Sequence, residues 1–167
     1  MGHKNHMKHA KENVECAVVT VSDSRTKETD VSGPIIMDAL REANHQVVYY
    51  KIVPDTLIGI ERELRDLIER EDVKVIIING GTGVTRKDLT PEAVEPFLEK
   101  KLVGFGELFR MLSYQEIGPA AMMSRALGGV SAGKVILCLP GSTGAIRLAM
   151  EKIIIPQIGH MALEVEK

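Results

Sequence analysis

Apolar positions along the chain alternate between two spacings. Glu15 to Ser22 (ECAVVTVS), Gln46 to Val53, Val73 to Asn79 and Lys134 to Leu139 (KVILCL) are short runs rich in apolar residues, which predicts strands, the first and last of them buried. Between them the spacing becomes helical. Gly33-Pro34 opens an amphipathic helix running to about Asn44, and Leu57 to Arg70 sets Leu57, Ile60, Leu64 and Leu67/Ile68 on one face of a second. This β-α-β-α-β order predicts a parallel sheet. Thr90 reads as an N-cap with Pro91 at the first helical position of a short helix to about Leu98, and another helix begins near Gly104. The last helix starts at Ser142 and is bent or broken at Pro156, whose ring and missing N–H disrupt a helix interior. The expected fold is α/β: three layers, α/β/α, with a mostly parallel, Rossmann-like central sheet covered by helices on both faces.

Composition sharpens this picture little. With 167 residues, 44% of them hydrophobic, and a net charge of −2, the chain can bury a full core. The expected organisation is a polar, mobile segment over residues 1–13 followed by one domain over 14–167. No block of Lys and Arg supplies a footprint for nucleic acid, and no apolar run approaches the roughly 20 residues that cross a bilayer. Cys16 and Cys138 lie inside apolar runs and read as buried core thiols, a usage that fits the cytoplasm. His3, His6 and His9 recur every third residue, but without a frame of Cys or carboxylates they read as part of the polar tail.

Ligands of open α/β sheets sit beyond the carboxyl ends of the strands, so the residues that follow each strand carry the candidate chemistry. They are Ser22-Asp23-Ser24, Pro54-Asp55, Gly80-Gly81-Thr82-Gly83 and Pro140-Gly141-Ser142-Thr143. The glycine turn could bring backbone N–H groups against a nucleotide or phosphate, or serve only as a tight connection. Pro140 to Thr143 leads into the last helix and could hold an anion at its N-terminus, or be an ordinary cap. Asp23, Asp55 and Asp88 fall in turns, where carboxylates either converge on Mg²⁺ or close Asx turns. Gly128 to Lys134 (GGVSAGK) imitates a phosphate-binding loop, but Val135 stands where Ser or Thr is required and the segment precedes a strand instead of following one.

The strings TVSDSR, VPD, NGGTGVTRKDLTPEA, GFGELFRMLSYQEIG, SRALGG and LPGSTGA, in this order, resemble the MogA/MoaB family, the long GFGELF string being nearer the MoaB branch. The resemblance implies a cytoplasmic enzyme of molybdenum or tungsten cofactor biosynthesis, a nucleotidyltransferase that moves AMP from Mg-ATP to the phosphate of molybdopterin and releases pyrophosphate. It implies catalytic and Mg²⁺-holding roles for Asp55 and Asp88. Ser22, Asp23, Ser24, Gly80 to Gly83, Pro140 to Thr143, Glu107 and Ser113 would bind nucleotide and pterin. It further implies a homo-oligomer, trimer or hexamer, and a downstream enzyme that inserts the metal. A pterin carrier without catalysis and an oligomeric assembly module are the alternatives. The chain departs from the family pattern at Asn79, where Thr or Ser is expected, and at Arg86-Lys87-Asp88 in place of Pro-Arg-Asp.

Overall fold

The computed structural model describes residues 11–167; His3, His6 and His9, with most of the expected polar tail, lie outside the described residues. Six strands form one sheet: β1 (Glu15–Val21), β2 (Gln46–Val53), β3 (Val75–Asn79), β4 (Lys100–Lys101), β5 (Leu127–Ser131) and β6 (Lys134–Leu139). Their order across the sheet is β2-β1-β3-β6-β5-β4. The first four are mutually parallel, whereas β5 runs antiparallel to both β6 and β4. The parallel centre matches the sequence expectation; β4 and β5 were not foreseen.

Side chains of each parallel strand alternate between two cores. Val18 of β1, Val75 and Ile77 of β3 and Leu137 of β6 pack with α1 (Ser32–Glu42), α4 (Val103–Ile117), α5 (Thr143–Ala149) and α6 (Ile155–Glu164). Val19, Ile76, Ile78 and Ile136 point the other way, against α2 (Leu57–Glu69) and α3 (Thr90–Val94). Both faces of β1, β3 and β6 are therefore buried, which is why these strands read as continuous apolar runs, whereas the edge strand β2 is mostly half-buried. Cys16 and Cys138 belong to opposite cores and are free, so they cannot pair. Burial drives the Cys16 thiol up to about 12 and the Cys138 thiol up as well, leaving both unreactive.

Local signals explain the helix ends. Asp30 accepts the N–H groups of Ser32 and Gly33 at the start of α1, and Asn44 leaves the helix through a left-handed φ of 63°. Thr56 caps α2 by accepting the Gly59 N–H at 3.1 Å. The last helix is interrupted just ahead of Pro156 and not at it: a π-helical turn over Met150–Ile154 separates α5 from α6, in whose first turn Pro156 lies. Lys11 donates its N–H to Gly159 on α6 and pairs with Glu166.

The look-alike phosphate loop is a β-hairpin. Ala132 (φ 46°) and Gly133 (φ 72°) form its two-residue turn between β5 and β6, and positive φ at both positions is what a type I′ turn demands. Val73 and Lys74 precede β3 instead of beginning it. Thr90 is not the cap of α3: it is the first helical residue, and Leu89 precedes it without a side-chain bond.

Candidate functional site

Four turns converge at the carboxyl ends of β1, β2, β3 and β6. The glycine turn after β3 is the centre. Gly80 (φ 98°) runs so close to β1 that a Cβ would lie 2.4 Å from the Val21 carbonyl oxygen, and Gly81 (φ 63°) would bring one 2.4 Å from Thr90 Oγ1 and 3.1 Å from Asp55 Oδ1. Glycine is thus required at both positions by conformation and by space. The turn after β6 lies alongside, since a Cβ on Gly141 would be 3.3 Å from Gly80 Cα. Ser32 Oγ donates to the Gly141 carbonyl at 2.7 Å and ties this turn to the start of α1.

Three acidic groups surround the glycine turn. Asp23 Oδ1 accepts the Asp55 N–H at 2.9 Å, joining the turns after β1 and β2. Asp55 Oδ1 is buried and has no hydrogen-bond partner. Burial raises the Asp55 carboxyl above its ordinary range, the charges of Asp88 and Asp23 add to this, and the Leu89 backbone and Lys87 oppose it. Asp88 behaves in the opposite sense. Burial would raise it, but the Thr85 hydroxyl, the Thr85 and Gly83 backbone N–H groups and the Arg125 charge hold it below the usual carboxylate range. Its Oδ2 accepts from Thr85 N at 2.8 Å and Thr85 Oγ1 at 2.6 Å, so Asp88 also closes its own loop.

A cavity of about 460 Å³ opens beside this cluster, lined by Thr20, Ser22, Arg25, Asp30, Ser32 and Asn79 together with Gly80, Gly141, Ser142 and Thr143. Hydroxyls and Arg25 supply donors for an anionic group. A neighbouring cleft of about 380 Å³ carries Asp23, Lys27, Lys51 and Pro54. A larger cleft of about 570 Å³, lined by Asp38, Glu42, Arg147 and Glu151 among others, lies between α1 and α5, away from the strand ends.

A family model described as "Probable molybdopterin binding domain" matches residues 17–160, which takes in all four turns. The chain belongs to that family. It is 49% identical over 163 residues to molybdenum cofactor biosynthesis protein B of Bacillus cereus, covering 97% of this chain and 96% of the relative. A crystal structure of a molybdenum cofactor biosynthesis protein B superposes with a TM-score of 0.91 at 50% identity, covering 94% of this chain and 98% of that one. The tungsten cofactor synthesizing protein MoaB of Pyrococcus furiosus gives a TM-score of 0.83 at 36% identity, covering 95% and 100%.

In this molybdopterin-binding domain the expected site residues are not all gathered together. Ser22, Gly80, Gly141, Ser142 and Thr143 line the strand-end cavity, while Asp55, Asp88, Gly81 and Gly83 form the adjoining acidic wall. Pro140 leads from β6 into its turn, and Ser24 donates its N–H to Ser22 Oγ at 3.3 Å. Thr82 is buried and gives its carbonyl to the Arg125 N–H. Ser142 is an N-cap, its Oγ accepting the Ala145 N–H at 3.4 Å. Glu107, exposed, and Ser113, buried, lie on α4, and neither is among the residues lining that cavity.

Three parts of the site escaped the sequence. Arg125 clasps the glycine loop: its Nε donates to Gly83 O and one Nη to Asp88 O, both at 2.7 Å, while the other Nη pairs with Glu92. Thr90 Oγ1, instead of capping, donates to Gly80 O at 2.8 Å. Asp30 accepts Thr20 Oγ1 at 2.7 Å and the Tyr50 hydroxyl at 2.5 Å, and Tyr50 is pushed up by burial and by that carboxylate. Asp30 was legible in principle, since Asp two residues before Ser-Gly-Pro is a helix-start signal. Arg125 lies in the SRALGG string but meets its partners only through the tertiary fold.

Proposed function

We propose that the chain transfers AMP from ATP to the terminal phosphate of molybdopterin. An oxygen of that phosphate attacks the α-phosphorus of ATP, a new P–O–P linkage forms, the bond to the β-phosphate bridging oxygen breaks, and pyrophosphate leaves. The observation that carries this reading is the placement of Asp55 and Asp88 on either side of Gly81 to Gly83, at the rim of a donor-lined cavity. A phosphate monoester is already ionised near neutral pH, so the protein's task is to position the reactants and neutralise charge.

Mg²⁺ suits this donor set. Asp55 offers a buried carboxylate oxygen without a partner, and its carboxyl is raised partly by the facing charges of Asp88 and Asp23. Mg²⁺ is commonly held by one or two carboxylates plus substrate phosphates. Asp55 and Asp88 would hold it, and it would supply charge neutralisation at the phosphates. The Gly80 to Gly83 backbone would approach the nucleotide, and Ser142 and Thr143 an anionic group of either substrate.

Self-association belongs to this proposal. Val103, Met111, Tyr114 and Ile117 on α4, with Met122 and Met123 beyond it, are exposed apolar side chains, and a patch of this kind marks an interaction surface. A cytoplasmic location and a partner enzyme that inserts molybdenum or tungsten complete it; among the described residues no helix is long and apolar enough to cross a membrane.

The test is incubation with Mg-ATP and molybdopterin, followed by mass spectrometry of adenylylated pterin and assay of pyrophosphate. Product from the wild-type chain and none from Asp88→Asn supports adenylyl transfer. Tight pterin binding without product favours a carrier, a second reading to which the engagement of Asp88 Oδ2 by Thr85 lends support.

A further inference from the structure

We propose that Asn79 is a specificity residue of the strand-end cavity, its Oδ1 accepting a hydrogen bond from the exocyclic amino group of a bound heteroaromatic ring. The proposal rests on the adenylyl-transfer reading, because both substrates of that reaction, a pterin and an adenine nucleotide, carry such an amino group.

Asn79 ends β3 between β1 and β6 and is fully buried. Its amide can face only one way. Nδ2 donates to Val19 O at 3.1 Å and to Thr20 Oγ1 at 3.0 Å. Val19 O has lone pairs alone, and the Thr20 hydroxyl hydrogen is directed at Asp30 Oδ2, so Thr20 Oγ1 can only accept from Asn79. Turning the amide over would set oxygen against oxygen at both contacts. Oδ1 therefore points away from β1. Among the described residues that line the cavity, it is the buried side-chain polar atom without a partner.

The rest of the lining has the opposite chemistry. Ser142, Thr143 and Arg25 can donate to an anionic end of a ligand, while the Ser32 hydroxyl is spent on the Gly141 carbonyl and the Asp30 carboxylate is engaged by Thr20, Tyr50 and two backbone N–H groups. Asn79 Oδ1 is thus suited to the amino group of the ring. A threonine at this position has one hydroxyl hydrogen and could not hold Val19 O and Thr20 Oγ1 together. Its oxygen would also lie one bond closer to the backbone than Oδ1 does.

The ligand-side experiment needs no variant. Titration calorimetry would compare 6-hydroxymethylpterin with its lumazine counterpart, in which a carbonyl replaces the 2-amino group, and AMP with inosine monophosphate. A preference for the amino form of about tenfold in one pair is expected, the size of one well-made neutral hydrogen bond. In Asn79→Thr, with the same melting transition by circular dichroism, that preference should fall to near unity. Loss in the pterin pair assigns Asn79 to the pterin; loss in the nucleotide pair assigns it to adenine. Equal binding of amino and deaminated forms by the wild-type chain overturns the proposal, as does a preference that survives in Asn79→Thr. A wild-type chain that binds none of the four ligands overturns the adenylyl-transfer reading and this inference with it.

Discussion

Asp23 Oδ1 accepts the backbone N–H of Asp55 at 2.9 Å, so the turn after β1 sets the position of the turn after β2. Two elements adjacent in the sheet are locked at their carboxyl ends by a bond whose partners are 32 residues apart in sequence. Removing the acceptor should let the Asp55 turn drift. Asp23→Ala is expected to lower kcat/KM for pyrophosphate release by about tenfold, while Asp23→Asn, which keeps an accepting oxygen, stays within about threefold of wild type. Equal losses in the two variants would show that the charge, and not the tether, is what Asp23 supplies.

Asp55 makes a prediction about pH. Its carboxyl is raised, first by burial and then by Asp88 and Asp23, so the folded chain binds that proton more tightly than the unfolded chain does. Above the raised value the ionised form therefore opposes folding, and the opposition is relieved as pH falls through it. Asp55→Asn, neutral throughout, should raise Tm at neutral pH by about 1–3 °C, with the gap closing on acidification through the raised value. The same substitution should cut turnover about a hundredfold. Calorimetry across pH checks the first point; a gap that stays constant would mean Asp55 is not the group responsible.

Arg125 holds the loop that carries Asp88 through two backbone carbonyls and Glu92. Arg125→Ala should destabilise the fold by about 2–3 kcal/mol and expose residues 82–88 to limited proteolysis. Arg125→Lys keeps the charge but not the planar fork and should recover less than half of that loss. Urea denaturation together with mass mapping of early cleavage sites measures both effects. An unchanged cleavage pattern in Arg125→Ala would remove the loop-clamping role.

Gly80 and Gly141 face each other across the turns after β3 and β6, yet they should respond differently to alanine. At Gly80 a Cβ meets the Val21 carbonyl at 2.4 Å with φ at 98°, so Gly80→Ala is expected to cost about 2–4 kcal/mol. At Gly141 the nearest atom is 3.3 Å away, and Gly141→Ala should cost no more than about 1 kcal/mol. Chemical denaturation of the pair gives the ranking directly.

The parallel half of the sheet was legible in sequence because β1, β3 and β6 are buried on both faces and read as dense apolar runs, and the half-buried edge strand β2 still carries enough β-branched and aromatic residues to fall at Gln46–Val53, as the pattern predicts. The antiparallel half was hidden for two reasons. β5 is LGGVS, whose paired glycines erase any alternation, and β4 is two exposed lysines. Gly129 is small because a Cβ there would lie 2.7 Å from the Lys100 carbonyl, a constraint set by the neighbouring strand and invisible locally. At the site, strand-end turns pointed to Asp55, Gly80 and Gly141, since position after a strand is itself a sequence property. Thr90 misled for the opposite reason: a hydroxyl before a proline resembles a cap, but the glycine turn offered its oxygen a stronger claim at Gly80 O.

The brevity of β4 bears on how this margin of the sheet escapes edge-to-edge pairing with other strands. A strand from another molecule recruits to a sheet by reading a row of unpaired N–H and C=O groups, and a fibre grows only where that row is long and flat. Beyond β5 this sheet presents Lys100 and Lys101 and then turns away into α4, so an incoming strand meets two ammonium groups and almost no template. Replacing both with β-branched apolar residues would create the adhesive margin that the natural sequence withholds.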